Sequence, residues 1–463
     1  MFELTTVIRR QRRVLFLLLR SLFFTLSASI PLAAIADSTA FVNVNVISMK
    51  DDSVMSAQTV IVSGDRIVAM GDVEVTVLPK EAQIVDGTDR YLLPGLTEMH
   101  GHVTSTTANS LDSLLGLFVA NGVTTVRGML GRPAHLVLRQ RIIDQDVLGP
   151  RLITSGPSFN GNSVDSPEQA VEMVKAQYEA GYDFLKIHPG LTRSEFMAIA
   201  DAANELGIRF AGHVPSDVGV PDALGAGIGT IDHLDGYMQT LISPTEDPSG
   251  GLGGFFGLLL AAIADETRIR EIAEATAAAG VWVVPTEALF EHTTNDVPPK
   301  DMGNWHEMKY VSQATVKQWI EQKRELLNDP AVTPELTARA IELRRKLILQ
   351  LHRSGAGLLL GSDSPQRFNV PGFALHRELE YLVAAGLTPF DALRTGTVGP
   401  AEFFGVENEA GTISVGNVAD LVLLDQNPLI DIKNIKRVHG TMLRGRWVDR
   451  PEIDAILARA ERN

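Results

Sequence analysis

Two hydrophobic patterns divide the chain. In residues 37–92, apolar and polar side chains alternate over short runs such as 41–47 and 59–62. A period of two places successive side chains on opposite faces of a strand, so this pattern predicts antiparallel β-structure without helices. The same pattern returns in residues 405–455. We therefore predict a small β-sandwich domain assembled from both ends of the chain.

The middle of the chain, residues 93–404, has a different pattern. Short apolar runs alternate with longer amphipathic segments that have the period of helices, such as 166–180, 193–206 and 267–279. Eight strands separated by helices predict an α/β fold, a (β/α)8 TIM barrel inserted into the β-sandwich, with a doubly wound open sheet as the alternative. The strand candidates are residues 93–99, 122–127, 152–155, 184–187, 208–211, 229–231, 281–284 and 357–360.

Two segments exceed the usual length of a connection between barrel elements. Residues 241–260 are rich in glycine and end in an apolar run, and residues 291–353 are long and helical in pattern. Both follow barrel strands. We expect them either to cover the carboxyl face of the barrel as lids or to serve as packing helices and oligomer contacts.

The first 36 residues differ from both patterns. Four arginines between residues 9 and 13 precede apolar runs at 14–19 and 22–32, and a small-x-small site ends at Ala36. This is the three-part layout of a secretory signal, so we predict a signal peptide over 1–36 and export to a bacterial periplasm or cell envelope. An uncleaved membrane anchor is the alternative, although Arg20 divides the two apolar runs and disfavours a stable span.

Composition narrows the possible chemistry. The formal net charge is -15, which argues against nucleic acid as a partner because phosphate binding needs a basic face. The chain contains no cysteine, so disulfides and thiolate metal ligands are excluded. Any metal site must therefore be built from histidine, carboxylate or modified lysine side chains.

Six polar residues lie at the carboxyl ends of strand candidates. In a barrel these ends converge on one face, where active sites lie. Two histidines separated by one residue on a strand point the same way and can hold one ion together. Each residue alone has an ordinary explanation, such as a buried histidine or a carboxylate in a turn. Together they predict an active site composed of His100, His102, Lys186, His213, His233 and Asp363.

Three motifs extend this interpretation. The segment LLPGLTEMHGH at 92–102, GVTTVR at 122–127 and GNVADLVL at 416–423 resemble conserved motifs of the amidohydrolase superfamily. The resemblance is strongest to the branch that contains imidazolonepropionase-like proteins and prolidase-like dipeptidases. Two positions depart from the family pattern. Glu98 and Gly128 stand where many relatives have aspartate, and both lie near the predicted site.

The resemblance implies a centre of two divalent metal ions. His100, His102 and Asp363 would hold one ion, and His213 and His233 the other. Lys186, converted by carbon dioxide to N6-carboxylysine, would bridge them, and one-metal relatives often lack this lysine. Zinc is the expected metal, although histidine and carboxylate ligands also suit manganese, cobalt or iron.

The predicted reaction is hydrolysis of an amide or peptide C–N bond in a dipeptide or N-acyl amino acid. A hydroxide bridging the two ions would attack the polarised carbonyl, and Asp363 would carry its proton to the leaving amine. Hydrolysis of a cyclic amide, lactone, ester or phosphoester is the enzymatic alternative. A non-catalytic envelope binding protein is the alternative from another class, and the six ligand-type residues disfavour it.

Four further residues are predicted to contact the substrate. Arg377, being cationic, can receive a substrate carboxylate or pair with a neighbouring glutamate. The expected partner is a small molecule or a dipeptide, and a homo-oligomer is left open. The four predicted contacts are His188, Tyr237, His376 and Arg377.

Overall fold

The computed structural model describes residues 38–104, 108–243 and 253–461. The predicted signal peptide at 1–36 and part of the first long insertion lie outside these ranges. Within them, no helix has the length and the apolar character needed to cross a bilayer.

The strands of the described chain fall into three sheets. They are β1 (Ser38–Val46), β2 (Met55–Ser63), β3 (Arg66–Asp72), β4 (Gln83–Asp86), β5 (Tyr91–Pro94), β6 (Leu96–Gly101), β7 (Val123–Gly128), β8 (Arg151–Thr154), β9 (Leu185–Ile187), β10 (Phe210–Gly212), β11 (Thr230–Asp232), β12 (Trp282–Val284), β13 (Leu421–Leu424), β14 (Val438–Leu443) and β15 (Arg446–Val448).

Helices occupy most of the connections between the central strands. They are α1 (Ala108–Ala120), α2 (Pro133–Ile143), α3 (Pro167–Glu179), α4 (Arg193–Leu206), α5 (Gly219–Gly225), α6 (Tyr237–Thr240), α7 (Ile269–Ala278), α8 (Glu287–Thr294), α9 (Pro299–Met302), α10 (Gln313–Leu327), α11 (Pro334–Arg353), α12 (Phe373–Ala384), α13 (Pro389–Gly396), α14 (Val398–Phe404) and α15 (Arg450–Ala460), with 3₁₀ helices at Phe255–Ala262, Glu266–Arg268, His306–Tyr310 and Ile432–Lys436.

Both ends of the chain build one eight-stranded sheet in the order β15-β14-β13-β5-β1-β2-β3, with β4 paired to β1. The junction between the ends is antiparallel, from Leu421 opposite Pro94 to Leu424 opposite Tyr91. One face of this sheet buries an apolar cluster that includes Phe41 from the first strand. The predicted association of the two ends is therefore present.

The central strands are parallel and form two sheets, β6-β7-β8 and β9-β10-β11-β12. A parallel bridge between Ser155 and Phe184 connects the two sheets. At the other end of the second sheet, Leu358 bridges Val283, so the predicted strand at 357–360 is present as an isolated bridge. Alternating parallel strands and helices confirm the predicted α/β class, and they bring the carboxyl ends of the strands to one side.

Local sequence signals explain why the helices begin where they do. At α4, Thr192 and Glu195 form a capping box in which each side chain accepts from the backbone N–H of the other residue. The helix ends at Gly207, whose φ of 71° suits glycine. At α3, Ser166 accepts from the backbone of Gln169. Both helices match their predicted extents to within one residue at either end.

The second long insertion, 291–353, contains the end of α8 and the helices α9, α10 and α11. Along α11, Leu343, Leu347 and Leu351 are completely buried in the main apolar core. These leucines recur every four residues, so they form one continuous apolar stripe along the helix. The stripe packs this part of the insertion into the main apolar core, against α7 and the 3₁₀ helix Phe255–Ala262.

Candidate metal centre

The two histidines of the first central strand point at the same carboxylate. His100 is buried at the end of β6, and its Nε2 lies 3.7 Å from Oδ1 of Asp363. His102 Nε2 lies 2.6 Å from the same oxygen. The rings are 5.4 Å apart, as expected for side chains two residues apart that emerge on one face of the chain.

Asp363 is held in place by the backbone around it. Its N–H donates to the carbonyl of His100 at 2.8 Å, and its φ is 57°. Aspartate is one of the few non-glycine residues that adopts this left-handed region readily. The second carboxylate oxygen, Oδ2, lies 3.6 Å from Nδ1 of His233. One carboxylate therefore faces histidines from two different strands.

His213 and His233 follow β10 and β11 and lie side by side, with ring centroids 4.7 Å apart. His233 is also 4.4 Å from the ring of His100. Nδ1 of His213 lies 3.0 Å from a carboxylate oxygen of Asp235, and Nδ1 of His233 lies 2.8 Å from the hydroxyl of Thr286. These contacts orient both rings and leave Nε2 of each ring for a ligand role.

Three of these side chains already have the spacing of a metal site. His100, His233 and Asp363 each offer one atom within 4.8 Å of the others, and all three are buried. Burial, with neighbouring cationic groups as the lesser cause, lowers the pKa of His100 and of His233 well below the usual range. Both imidazoles are thus neutral at neutral pH, which is the form that binds metals.

Lys186 lies on β9 beside these rings and is completely buried. Its Nζ has no hydrogen-bond partner among the described residues. Burial lowers the pKa of Lys186 to about 8, so an appreciable fraction of the amine is uncharged near neutral pH. A buried amine without a partner is costly. A carboxylated lysine bound to metal would remove that cost, so the donor set fits the implied centre.

Gly212 gives the lysine room. A Cβ at this position would come within 3.0 Å of both Cδ and Nζ of Lys186 and within 2.5 Å of the carbonyl of Ile187. Gly212 also has a φ of 129°, which L-residues rarely adopt. Its place directly before His213 therefore allows two ligand candidates from adjacent strands to share the space.

Sequence reasoning missed Asp232, which precedes His233 and is completely buried. Its Oδ2 lies 2.7 Å from Nδ1 of His100, although the two atoms do not have the geometry of a hydrogen bond. Arg127 lies 3.4 Å from the same carboxylate and balances its charge. The available sequence signal was that Asp232, an acidic residue, directly precedes the predicted ligand His233. The spacing of residues along the chain did not show which strand carries the partner of Asp232.

Glu98 was noted as a departure from the family pattern, and the structure gives it a backbone role. One carboxylate oxygen accepts from the N–H of His100 at 2.9 Å and from that of Ser362 at 2.8 Å, and the other accepts from the Ser362 hydroxyl. Burial raises the pKa of Glu98 to about 7. The residue ties the strand of the histidine pair to the segment that carries Asp363.

A model of the amidohydrolase family matches residues 91–448, which include every residue of this centre. The chain belongs to the amidohydrolase family. Membership explains why metal-ligand candidates gather at the carboxyl ends of its parallel strands, since this family is generally metal-dependent. No curated protein sequence matches the chain.

Solved structures resemble this amidohydrolase over most of their length. A prolidase-like protein from Bifidobacterium longum is 24% identical, covers 92% of this chain and 99% of its own, and has a TM-score of 0.66. A bottromycin amidohydrolase is 21% identical over 92% of this chain and 90% of its own, with a TM-score of 0.70. A Xaa-Pro dipeptidase with bound methionine is 19% identical over 89% and 100%, with a TM-score of 0.63. These TM-scores show a shared fold.

The structure brings one predicted substrate residue of the amidohydrolase to the centre. His188 lies with its ring 5.1 Å from that of His213. Burial, followed by the charge of Lys186, lowers the pKa of His188 to about 2. This imidazole is therefore neutral, and it can exchange hydrogen bonds with a substrate.

The other three predicted substrate residues have protein partners. The Tyr237 hydroxyl lies 2.9 Å from that of Thr276 on α7, and His376 Nε2 lies 2.9 Å from the carbonyl of Asn121. The Arg377 guanidinium binds Glu307 and stacks on Trp305 at 3.8 Å. Their substrate roles stay predictions.

Proposed function

We propose that this amidohydrolase is a metal-dependent hydrolase of amide or peptide C–N bonds in a dipeptide or N-acyl amino acid. The observation that carries the proposal is the buried Nζ of Lys186, which has no partner among the described residues although it lies amid histidines and carboxylates. The prolidase-like and dipeptidase structures with the same fold support the choice of a peptide-type bond.

We assign His100, His102 and Asp363 to one divalent ion and His213 and His233 to a second. Carboxylated Lys186 would lie between the two ions. What supports two adjoining ions is that Asp363 and His100 of the first set lie close to His233 of the second, at 3.6 Å from Asp363 Oδ2 to His233 Nδ1 and 4.4 Å between the two imidazole rings. When bound, two ions of this kind polarise a carbonyl and lower the pKa of water, which favours hydrolysis near neutral pH.

Individual residues of the chain have different roles in the proposed reaction. Asp363 is placed to accept a proton at Oδ2 and to release it to the leaving amine, because its Oδ1 is already engaged by His102 at 2.6 Å. Thr286 keeps the ring of His233 oriented through a 2.8 Å contact, and Asp232 lies 2.7 Å from Nδ1 of His100. Glu98 accepts hydrogen bonds from the backbone N–H groups of His100 and Ser362, so it holds together the two segments that carry His100 and Asp363.

We also propose that the parallel strands close into the eight-stranded barrel, with domain boundaries at 92/93 and 404/405. The bridges from Ser155 to Phe184 and from Val283 to Leu358 support this. So does the hydrogen bond from Met99 N to the carbonyl of Leu360, at 2.8 Å. Together these contacts support closure of the two central sheets into one barrel.

Export with cleavage after Ala36 belongs to the same proposal, on the basis of the charged and apolar pattern of residues 1–36. Expression of the full chain in a bacterial host and mass spectrometry of the envelope fraction tests it. A protein that begins at Asp37 supports export, and an intact N-terminus in the membrane fraction would favour the anchor.

The main experiment combines metal analysis with turnover. Protein loaded with zinc and bicarbonate is screened against dipeptides, N-acyl amino acids, lactones and aryl esters. We expect close to two ions per chain and hydrolysis of an amide substrate. Asp363→Asn should lower kcat by about 10²–10⁴-fold while much of the metal stays bound, and the exposed Asp52→Asn serves as its control.

Lys186→Met tests the bridging role directly. We expect it to lose at least one ion per chain and most of the turnover, whereas Lys50→Met, at an exposed lysine, should lose neither. Near-normal turnover in the Asp363 variant would rule out its proton role. A wild-type protein that binds no metal under these conditions would contradict the proposed function.

A further inference from the structure

We infer that Arg367 recognises a carboxylate on the substrate, so that the enzyme acts on molecules with a free carboxylate on the leaving-group side of the scissile bond. This inference rests on the proposed function and names its substrate class. It assigns the role to a different arginine from the one that the sequence suggested.

Arg367 occupies a tight turn just beyond Asp363. Gln366 and Asn369 pair across this turn, and the N–H of Asn369 donates to the carbonyl of Gln366 at 2.8 Å. The two central residues, Arg367 and Phe368, have φ values of 46° and 68°. Such left-handed backbone is unfavourable for a non-glycine residue, so the surrounding structure must hold it in place.

The turn is anchored on both sides of the arginine's backbone. The ring of Phe368 is buried against Trp305 and Trp319, with centroids 6.4 and 5.9 Å away. The side chain of Asn369 donates to the carbonyl of Ser362 at 2.5 Å and lies 2.6 Å from Nδ1 of His292. These contacts fix the direction in which the Arg367 side chain leaves the turn.

The guanidinium of Arg367 is half-buried and lies over the ring of Phe255, 4.8 Å from its centroid. Among the described residues it has no hydrogen bond and no acid within ion-pair distance. Burial lowers the pKa of Arg367, and the Asp363 carboxylate opposes that effect. A partly desolvated cation without a paired acid favours the binding of an anion.

Two phenylalanines connect this cation with the metal-ligand candidates. The rings of Phe255 and Phe256 are 4.6 Å apart, and Phe256 stacks on His233 at 4.8 Å and on His213 at 6.3 Å. Both belong to the 3₁₀ helix Phe255–Ala262 of the first long insertion. Apolar surface therefore lies between the metal-ligand candidates and the guanidinium of Arg367.

This arrangement suits a short substrate with a charged end. A substrate whose scissile carbonyl lies beside the histidines would place its adjoining side chain against the phenylalanine rings. Its carboxylate would then lie at Arg367. An arginine can bind both oxygens of a carboxylate at once, which adds orientation to charge attraction. The guanidinium of Arg377, by contrast, already binds Glu307 at 2.9 Å.

The test compares each substrate with its uncharged counterpart. Five dipeptides ending in Ala, Leu, Phe, Glu or Pro are prepared as free acids and as C-terminal amides. We expect the wild type to prefer the acid of its best substrate by about 30-fold or more in kcat/KM, and Arg367→Gln to remove that preference by slowing the acid alone. Arg193→Gln, at an arginine on the surface of α4, is the matched control.

A binding measurement separates this inference from the proposed function. Calorimetric titration of metal-loaded protein with the acids and amides needs no turnover. Acids that bind the wild type about 10-fold or more tightly than they bind Arg367→Gln support the inference, even if no peptide is hydrolysed and the proposed function fails. Hydrolysis of acids and amides at equal rates, or equal binding of both, would overturn it and leave the proposed function intact.

Discussion

Replacing Lys323 with methionine is expected to stabilise the protein at neutral pH. Lys323 lies on α10 within the second long insertion, and its side chain is almost fully buried. Its Nζ donates to Asn295 Oδ1 at 2.5 Å and contacts Met302 Sδ at 3.0 Å. No acid in the described ranges lies within ion-pair distance of this ammonium, so its burial has little electrostatic compensation.

The size of the effect follows from the proton equilibrium. Burial lowers the pKa of Lys323 from the ordinary 10.5 to about 8, although nearby Asp296 opposes the change. This difference corresponds to about 3 kcal/mol of lost stability. Methionine would remove that cost and forfeit about 1 kcal/mol of hydrogen bonding. Asn295 Oδ1 still accepts a hydrogen bond from the N–H of Val297, at 3.2 Å, so it is not left without a partner. We therefore expect the free energy of unfolding to rise by about 2 kcal/mol.

The gain should depend on pH in a definite direction. Below pH 8 the lysine is charged in both the folded and the unfolded chain, so the folded state bears the full cost. Between the folded pKa of about 8 and the ordinary value of 10.5, the unfolded chain keeps its proton while the folded chain loses it. Wild-type stability therefore rises with pH in that window relative to the variant. The advantage of Lys323→Met should shrink accordingly.

Urea unfolding at pH 7 and pH 10, followed by tryptophan fluorescence, measures the free energy of unfolding of the wild type and the variant. Lys317→Met, at an exposed position of the same helix, is the control and should change little at either pH. A variant that is less stable than the wild type at pH 7 would refute the reasoning. So would a stability difference that stays the same at both pH values.

Three further predictions test the surroundings of the centre. Arg344→Met should lower the free energy of unfolding by about 3–5 kcal/mol in urea titration, because it leaves buried Glu287 unpaired and removes the 2.9 Å bond to the carbonyl of His233. Tyr237→Phe should cost about 1 kcal/mol through its bond to Thr276 and leave kcat/KM unchanged; a fall in kcat/KM would restore its substrate role. Chelation should lower the melting temperature measured by calorimetry, and zinc with bicarbonate should restore it, since an ion at 100 times its Kd adds about 2.7 kcal/mol.

The grouping of the candidate ligands could be predicted because each of them obeys a short-range rule. This cluster consists of His100, His102, Lys186, His213, His233 and Asp363. His100 and His102 lie on one face since a strand repeats every two residues, and the other members lie at the carboxyl ends of later strands. Parallel strands bring those ends together whatever the loops do. The structure accordingly places His233 4.4 Å from His100, although the two residues are far apart along the chain.

The charged groups behind the cluster could not be predicted in this way. Arg127 and Asp232 form a buried pair although 105 positions separate them. Each of these residues, considered alone, is a charged residue in an apolar strand. Which partner it contacts depends on the direction in which the side chains of two different strands point. Glu98 shows the same limit, because its second partner, Ser362, lies 264 positions away.

For a related reason, the sequence alone could not decide whether Arg367 or Arg377 binds a substrate carboxylate. Arg377 and Arg367 both follow Asp363 closely, and the sequence shows two cations near a predicted site. Glu307, which pairs with Arg377, comes from the second insertion, 70 positions upstream. The fold of that insertion therefore decides which guanidinium is left for a substrate, and periodicity within either segment carries no information about it.

The balance of charge around Asp363 differs from that around Asp232. Its carboxylate oxygens are closest to imidazole nitrogens, at 2.6 Å from His102, 3.7 Å from His100 and 3.6 Å from His233. Burial keeps the latter two rings neutral by lowering their pKa values, so they do not offset its charge. Asp232, by contrast, has Arg127 at 3.4 Å. A buried carboxylate beside these two neutral imidazoles is a site that a cation would stabilise, and this asymmetry distinguishes Asp363, the proposed ligand, from Asp232.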